Sequence, residues 1–480
     1  MHRALLVAGF GVLVLLASIG PVVAARTLVY CADGSPDGFN AQLHTNLTTY
    51  DASSIPLYNR LVEFERGSTK LVPGLAASWE VADEGQVFTF HLRPGVKFHT
   101  TRTFKPTRDF NSDDVLFSFN RQLRADHPFH EVGGGRYESF YSMGLDTLIK
   151  AIVRIDDSTI RFELVRPEAS FPATLAMDFA SIQSAEYADQ MMKERTPERI
   201  DHEPVGTGPF QLVAYQKDAL IRYRTFDAYW GGRAPVDFLV FAITPDATVR
   251  YAKLKAGECH VMPSPNPEDR EAIAQDPDLL LMNKPALNVG YLAFNTEKKP
   301  FDDARIRRAL SMAVDTGAIV KDAYQGTAVV ARNPIPPTQW GYDDGGEDFV
   351  HDPEAARALL AEAGLGDGFE VELWAMPVQR PYNPAPKRVA EMIQADWARI
   401  GVRSRVVSYD WGEYLRRSKD GEHQALLLGW TGDNGDPDNF LYTLLSCDAV
   451  GSANRARWCN KPFDALLSKA KQITEAEERT

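Results

Sequence analysis

A two-lobed α/β chain with a cleft between its lobes is the fold this sequence predicts, on three observations. Helix and strand patterns alternate through most of the chain, and the β-α-β alternation is clearest after about residue 286. Removing an N-terminal export segment leaves 455 of 480 residues, more than one hydrophobic core usually serves. No internal repeat, low-complexity tract or Pro/Ser linker separates the halves, so the junction reads as a rigid hinge beside a ligand cleft.

The export segment comes first. Residues 4–19 carry no charge, Gly20 and Pro21 break the run, and Val23-Ala24-Ala25 is a small-residue cleavage pattern. The run is long enough to approach a membrane span, but the helix-breaking pair favours cleavage after Ala25 over retention as an anchor. Cys31 follows bulky Tyr30, which removes the pattern expected before a lipid-modified cysteine. The net charge is −13, and −14 once Arg3 leaves with the segment. Without clustered basic residues, nucleic acid is excluded as a partner.

Four cysteines in an exported chain allow three pairings. Cys447 and Cys459 bracket a short loop and pair most simply with each other, which leaves Cys31 with Cys259. Free thiols or a zinc site are the alternatives, and neither a C-x-x-C nor clustered histidines support them.

Residues 88–92, 159–164 and 238–243 read as strands rich in β-branched and aromatic side chains. Phe88, Phe90 and Phe98 are expected in the core, and residues 100–136 read as loop-rich. Asp352 caps a helix that has Pro353 at its first position and Glu354 near its positive end, and Gly364 closes it. Val389, Met392, Ile393, Trp397 and Ile400 share one face of another helix, followed by a strand at 402–407.

Two constellations carry chemistry. The apolar run 425–428 reads as a buried strand that ends in the polar loop Gly429–Asn439, where a carboxylate can be held at a cleft. The loop partly mimics a calcium loop but fails at Pro437 and at Leu444, where a glutamate belongs. A solvated turn without function is the competing reading, against which the flanking Trp430 and the strand before it argue that the loop is packed. In the second, a strand at 369–374 runs into a proline-stiffened loop with Arg380, whose planar fork suits a carboxylate at a strand end. A surface arginine that caps its own loop is the competing reading.

Enzyme signatures are missing. There is no G-x-S-x-G and no H-E-x-x-H, and Gly133-Gly134-Gly135 lacks the context of a phosphate loop. Ser468–Lys471 fits S-x-x-K without its companion motifs, so it reads as chance.

Taken together, residues 27–31, 48–54, 56–61, 73–76, 79–81, 88–93, 95–97, 206–210, 376–383 and 429–439 resemble the periplasmic dipeptide-binding proteins. These are the soluble receptors of peptide-importing ABC transporters. The resemblance spans almost the whole mature chain. Residues 79–118 are common to the wider peptide, nickel and oligopeptide receptors, whereas the Arg380 and Asp433 segments point to the dipeptide branch.

The resemblance implies a periplasmic-binding-protein clamshell with an extra subdomain in the first lobe. It places the signal at 1–25, lobe I at 26–285 with the inserted subdomain at about 60–205, and lobe II at 286–480. It implies that Asp433 accepts the α-ammonium of a dipeptide and Arg380 its α-carboxylate. Trp430, Thr431 and Gly432 would border the ligand backbone, with Thr45 and Asn46 approaching from the first lobe. Close relatives carry a small Ser-Gly where this chain has Thr45-Asn46-Leu47. Two fixed opposite charges act as a ruler, since a dipeptide spans roughly 7 Å at about 3.3–3.6 Å per residue. The implied protein is a monomer in the periplasm and not an enzyme. It has no cofactor or metal, and delivers dipeptides to an inner-membrane ABC permease complex and presents itself to a chemoreceptor. The Cys31–Cys259 and Cys447–Cys459 pairings agree with the family's. The same fold with another cargo (haem, a nickel complex, glutathione or murein peptide) is the alternative. Relatives continue beyond Thr480, which leads to the expectation that lobe II is incomplete here.

Overall fold

The computed structural model describes residues 25–345, 350–473 and 475–480. Apart from Ala25, the export segment lies outside these residues. Among them, no helix is long and apolar enough to cross a membrane.

Three four-stranded sheets and one hairpin organise the chain. The first sheet runs in the order Thr27–Ala32, Phe238–Ile243, Leu220–Thr225, Phe210–Gln216, and its first pair is parallel. Alternation puts Leu239, Phe241 and Ile243 into a core that also holds Leu57 and Tyr58. The second sheet is antiparallel: Ala76–Ala82, Val87–Leu92, Thr159–Leu164, Ile149–Asp156. Phe88, Phe90 and Phe98 all enter its core, as their spacing predicts. The hairpin pairs Val62–Phe64 with Leu71–Pro73. Gly206 and Gly208 bring the chain back onto the first sheet's core. A Cβ at Gly206 would lie 1.9 Å from the Leu57 carbonyl oxygen, so only glycine permits the approach.

The third sheet is built entirely from residues after 286, in the order Asn288–Phe294, Ala425–Thr431, Glu370–Trp374, Arg403–Val407. No strand before residue 286 pairs with a strand after it among the described residues. Helix Pro386–Arg399 crosses between two parallel strands and buries Val389, Ile393 and Trp397. The Trp397 indole donates to the Leu310 carbonyl at 3.1 Å. Helix Pro353–Glu362 starts at Asp352, whose carboxylate accepts from the Ala355 amide, and ends before Gly364 at φ +79°. The two disulfides are Cys31–Cys259 and Cys447–Cys459.

Two sequence expectations are corrected. Within 100–136, taken as loop-rich, residues Ser112–Leu123 form a helix. Asn111 caps it in a reciprocal box with Asp114, whose carboxylate also grips Arg108 at 2.7 and 2.9 Å. An Asn-x-x-Asp start was the available signal. The second correction concerns the acidic loop. The strand before it continues to Thr431, and Asp438 and Asn439 already belong to helix Asp438–Leu445. Gly429, expected at the start of the polar loop, sits mid-strand opposite Gly290. Both glycines serve close packing: a Cβ at Gly429 would lie 2.2 Å from the Tyr382 ring, and one at Gly290 would lie 2.3 Å from the Tyr382 carbonyl oxygen.

Candidate functional site

Tyr382 is what joins the two constellations. Its ring lies on Gly429, and the Tyr324 hydroxyl donates to its carbonyl at 2.8 Å. The Arg380 loop is thereby docked across the strand that leads into Asp433. The loop is also closed on itself by paired backbone bonds between Arg380 and Asn383, at 3.0 and 2.9 Å. The Arg380 guanidinium stacks over the Trp411 ring at 4.8 Å and acts on the nearby Tyr382 hydroxyl.

Past the end of the strand, Asn439 organises the turn. Its side-chain oxygen accepts from the Trp430 indole and from the Asp433 amide, both at 2.9 Å. The neighbouring acids are held by the chain's C-terminal cations. Arg479 grips Asp436 with two bonds of 2.7 and 2.8 Å, and Lys471 lies 3.4 Å from Asp438 and 3.2 Å from Glu168. Lys471 is the last residue of the S-x-x-K match, and these ion pairs give it a structural role. Asp433 differs from the other acids: no cation lies within ion-pair distance of it among the described residues. Its side chain is solvent-accessible through the cavity it lines, although protein packs closely around the carboxyl. Burial pushes it up from the ordinary 3.8 to about 6, against the Asn439 hydrogen bond and helped by nearby Asp178.

That cavity holds about 220 Å³. The segment after the Ala425–Thr431 strand contributes Asp433 and the strand itself Trp430, and the rest of the wall comes from Thr45, Tyr50 and the segments around Ser139–Met143 and Met177–Phe179. Tyr50 donates to the His44 carbonyl at 2.8 Å, and burial pushes its hydroxyl up to about 12, so it stays protonated. Asp178 accepts from the Ser54 hydroxyl and lies 3.7 Å from Arg60. The walls meet directly around the cavity. Asn434 reaches Thr174 at 3.5 Å, the Ala169 amide donates to the Lys471 carbonyl at 2.7 Å, and Gly435 packs on Thr69.

Of the residues expected at the site, Asp433, Trp430 and Thr45 line the cavity. Asn46 does not. Its oxygen caps helix Leu47–Ala52 by accepting from the Thr49 amide at 2.8 Å, and its amide group donates to Asp37 at 2.5 Å. Thr431 ends the strand opposite Asn288, and Gly432 packs under Phe440, where a Cβ would lie 2.6 Å from the ring. Arg380 stacks on Trp411 and lies outside the cavity lining. Sequence reasoning missed Tyr50, Ser139, Ser142, Met143, Met177, Asp178 and Phe179. They come from short helices and turns without periodicity, and only tertiary packing assembles them.

A family model, bacterial extracellular solute-binding proteins, family 5 Middle, matches residues 70–452. A dipeptide-binding protein of Escherichia coli strain K12 is 58% identical over 463 residues, covering 96% of this chain and 86% of that protein. A heme-binding protein A of Haemophilus influenzae is 52% identical over 454 residues, covering 95% and 83%. A crystal structure of a dipeptide binding protein from Pseudoalteromonas sp. SM9913 in complex with Met-Leu superposes with a TM-score of 0.80. It is 41% identical, and the match covers 95% of this chain and 90% of that one. The fold is thus the two-lobed, peptide-binding-protein type of α/β clamshell, and the chain belongs to the family 5 bacterial extracellular solute-binding proteins.

Proposed function

We propose that this protein is a periplasmic receptor that captures dipeptides between its lobes and delivers them to an ABC-transporter permease. It binds rather than catalyses. One observation carries the reading: the Arg380 loop docks through Tyr382 onto the strand that leads into Asp433, and neither charge has an ionic partner among the described residues. Desolvated charges are tolerable when each meets an opposite charge, and a dipeptide brings one of each. The relative and the solved complex named above are both dipeptide-binding proteins. In this reading the mature chain is exported after cleavage at Ala25. Lobe I spans 26–285 with its inserted subdomain at about 60–205, and lobe II spans 286–480. The cavity takes the ligand's N-terminal half, since it is smaller than the roughly 300–1,000 Å³ of sites that hold whole drug-sized ligands.

Ligand-stripped protein tests this. Free dipeptides raise the melting temperature, as any ligand selective for the folded state does, while N-acetylated or C-amidated versions leave it unmoved. Equal shifts from blocked and free peptides would refute pairing at both termini.

Affinity also depends on pH. The α-ammonium binds the ionised form of Asp433, whose carboxyl burial pushes up to about 6, so binding expels a proton below that pH. Dipeptides therefore bind about tenfold more weakly at pH 5 than at pH 7, with roughly half a proton released at pH 6. The sign is opposite for the empty protein. Its folded state holds this proton more tightly than the unfolded chain, so the Asp433 contribution to stability is full below about 4 and lost as pH rises through 6. Calorimetry in buffers of different ionisation enthalpy measures the proton release. None at pH 6 would place the ammonium elsewhere.

Haem is the second reading, favoured by the heme-binding relative. Among the described residues no histidine or cysteine lines the cavity, and the axial-ligand types present are Tyr50, Met143 and Met177. A Soret band in the purified protein, or its absence, decides between them.

A further inference from the structure

The charged side chains that line the cavity are both acidic: Asp433 from lobe II and Asp178 from the facing wall. The α-ammonium of a bound dipeptide answers only one of them. Asp178 sits between Met177 and Phe179, and Met143 also faces the cavity, so polarisable and apolar walls flank the second carboxylate. Its side chain remains one-third exposed although Ser54 donates to it. Arg60 neutralises it only in part. The guanidinium stands 3.7 Å away and gives its hydrogen bonds to Glu63, leaving the Nη1 nearest Asp178 without a hydrogen-bond partner. Glu63 and Arg60 already balance one another, so Asp178 is the carboxylate left over.

We propose that Asp178 is a specificity residue that selects dipeptides whose first side chain is a long aliphatic stem ending in a cation, as in lysine or arginine. This rests on the dipeptide reading and deepens it by naming the ligand class. The stem lies against Met143, Met177 and Phe179, as amphipathic side chains pack on apolar surface while their charged heads reach polar groups. The terminal cation meets Asp178, and the hydroxyls of Ser139, Ser142 and Tyr50 share the cavity with the polar head. An uncharged stem of equal length fills the same space and leaves Asp178 with only its partial counter-charge.

Titration calorimetry with Lys-Ala, norleucine-Ala and Ala-Lys tests this on ligand-stripped wild type and on Asp178→Asn, which keeps an acceptor for Ser54. Wild type is expected to bind Lys-Ala about tenfold more tightly than norleucine-Ala, as for a close charge pair in a protein environment. In Asp178→Asn the ratio of the two affinities falls to about one. Ala-Lys gains nothing from Asp178 in either protein. Equal wild-type affinities for Lys-Ala and norleucine-Ala would overturn the proposal and leave the dipeptide reading standing. A preference that survives in Asp178→Asn would overturn it too. Failure of all three peptides to bind wild type would remove both. The wild-type comparison needs no variant, so a folding defect in Asp178→Asn does not shield the proposal.

Discussion

Replacing Asp433 or Arg380 with alanine weakens dipeptide binding by about 2–5 kcal/mol, the range found when one partner of a buried charge pair is truncated. That corresponds to a loss of roughly 30-fold to several thousand-fold in affinity. The two variants leave different charges stranded. Without Asp433, the peptide ammonium loses its own carboxylate and keeps only Asp178, which Arg60 and Ser54 engage in part. Without Arg380, the peptide carboxylate faces the rings of Tyr382 and Trp411, which offer no second cation. A control separates electrostatics from shape. Asp433→Ala spares the relative preference among C-terminally varied peptides, and Arg380→Ala spares that among N-terminally varied ones. Calorimetry on ligand-stripped variants measures both effects. A loss below about 1 kcal/mol in either would mean that its charge stays in water during binding.

Removing Arg121 unfolds the protein more easily, by about 3–5 kcal/mol, because it leaves an uncompensated charge in the core. Arg121 is fully buried, and Asp201, 3.2 Å away, is 6% exposed. The guanidinium also bonds Gln183 at 2.8 Å and Tyr137 at 3.3 Å, and the rings of Phe117, Phe129 and Tyr137 surround it. On the other side, Asn40 donates to Asp201 at 2.6 Å and accepts from Gln183 at 2.8 Å, tying the network to the segment after the first strand. This network couples the helix that carries Arg121 to the wall that carries Thr45 and Tyr50. Urea titration of Arg121→Ala against wild type measures the cost. Adding Asp201→Asn should recover part of it, since the stranded carboxylate is then gone. Full additivity of the two changes would show that they do not interact.

Local rules made some of this legible from residue types alone. Residues 238–243 alternate cleanly, and Asp352, Pro353 and Gly364 punctuate their helix as caps and breakers do. Asp433 was likewise visible, as an acid just past an apolar strand. What escaped depends on contacts distant in sequence. Gly429 looks like a turn residue until the Tyr382 ring, from a loop some fifty residues earlier, is seen to occupy the place of its side chain. Asn46 looks like a ligand contact until its cap on Thr49 is seen. Asp178 carries no local signal: it lies in a short turn, and only the fold turns it toward Asp433. Arg380 is an intermediate case. Its residue type and strand-end position were readable, but its rest on Trp411 was not.

The most direct measurement is native mass spectrometry of freshly purified protein, followed by identification of whatever is released. Pairing of both termini in a closed cleft predicts a population of added masses that all correspond to dipeptides, enriched in those beginning with lysine or arginine. Haem, a metal complex or peptides of mixed length at comparable occupancy would contradict the ruler formed by Asp433 and Arg380.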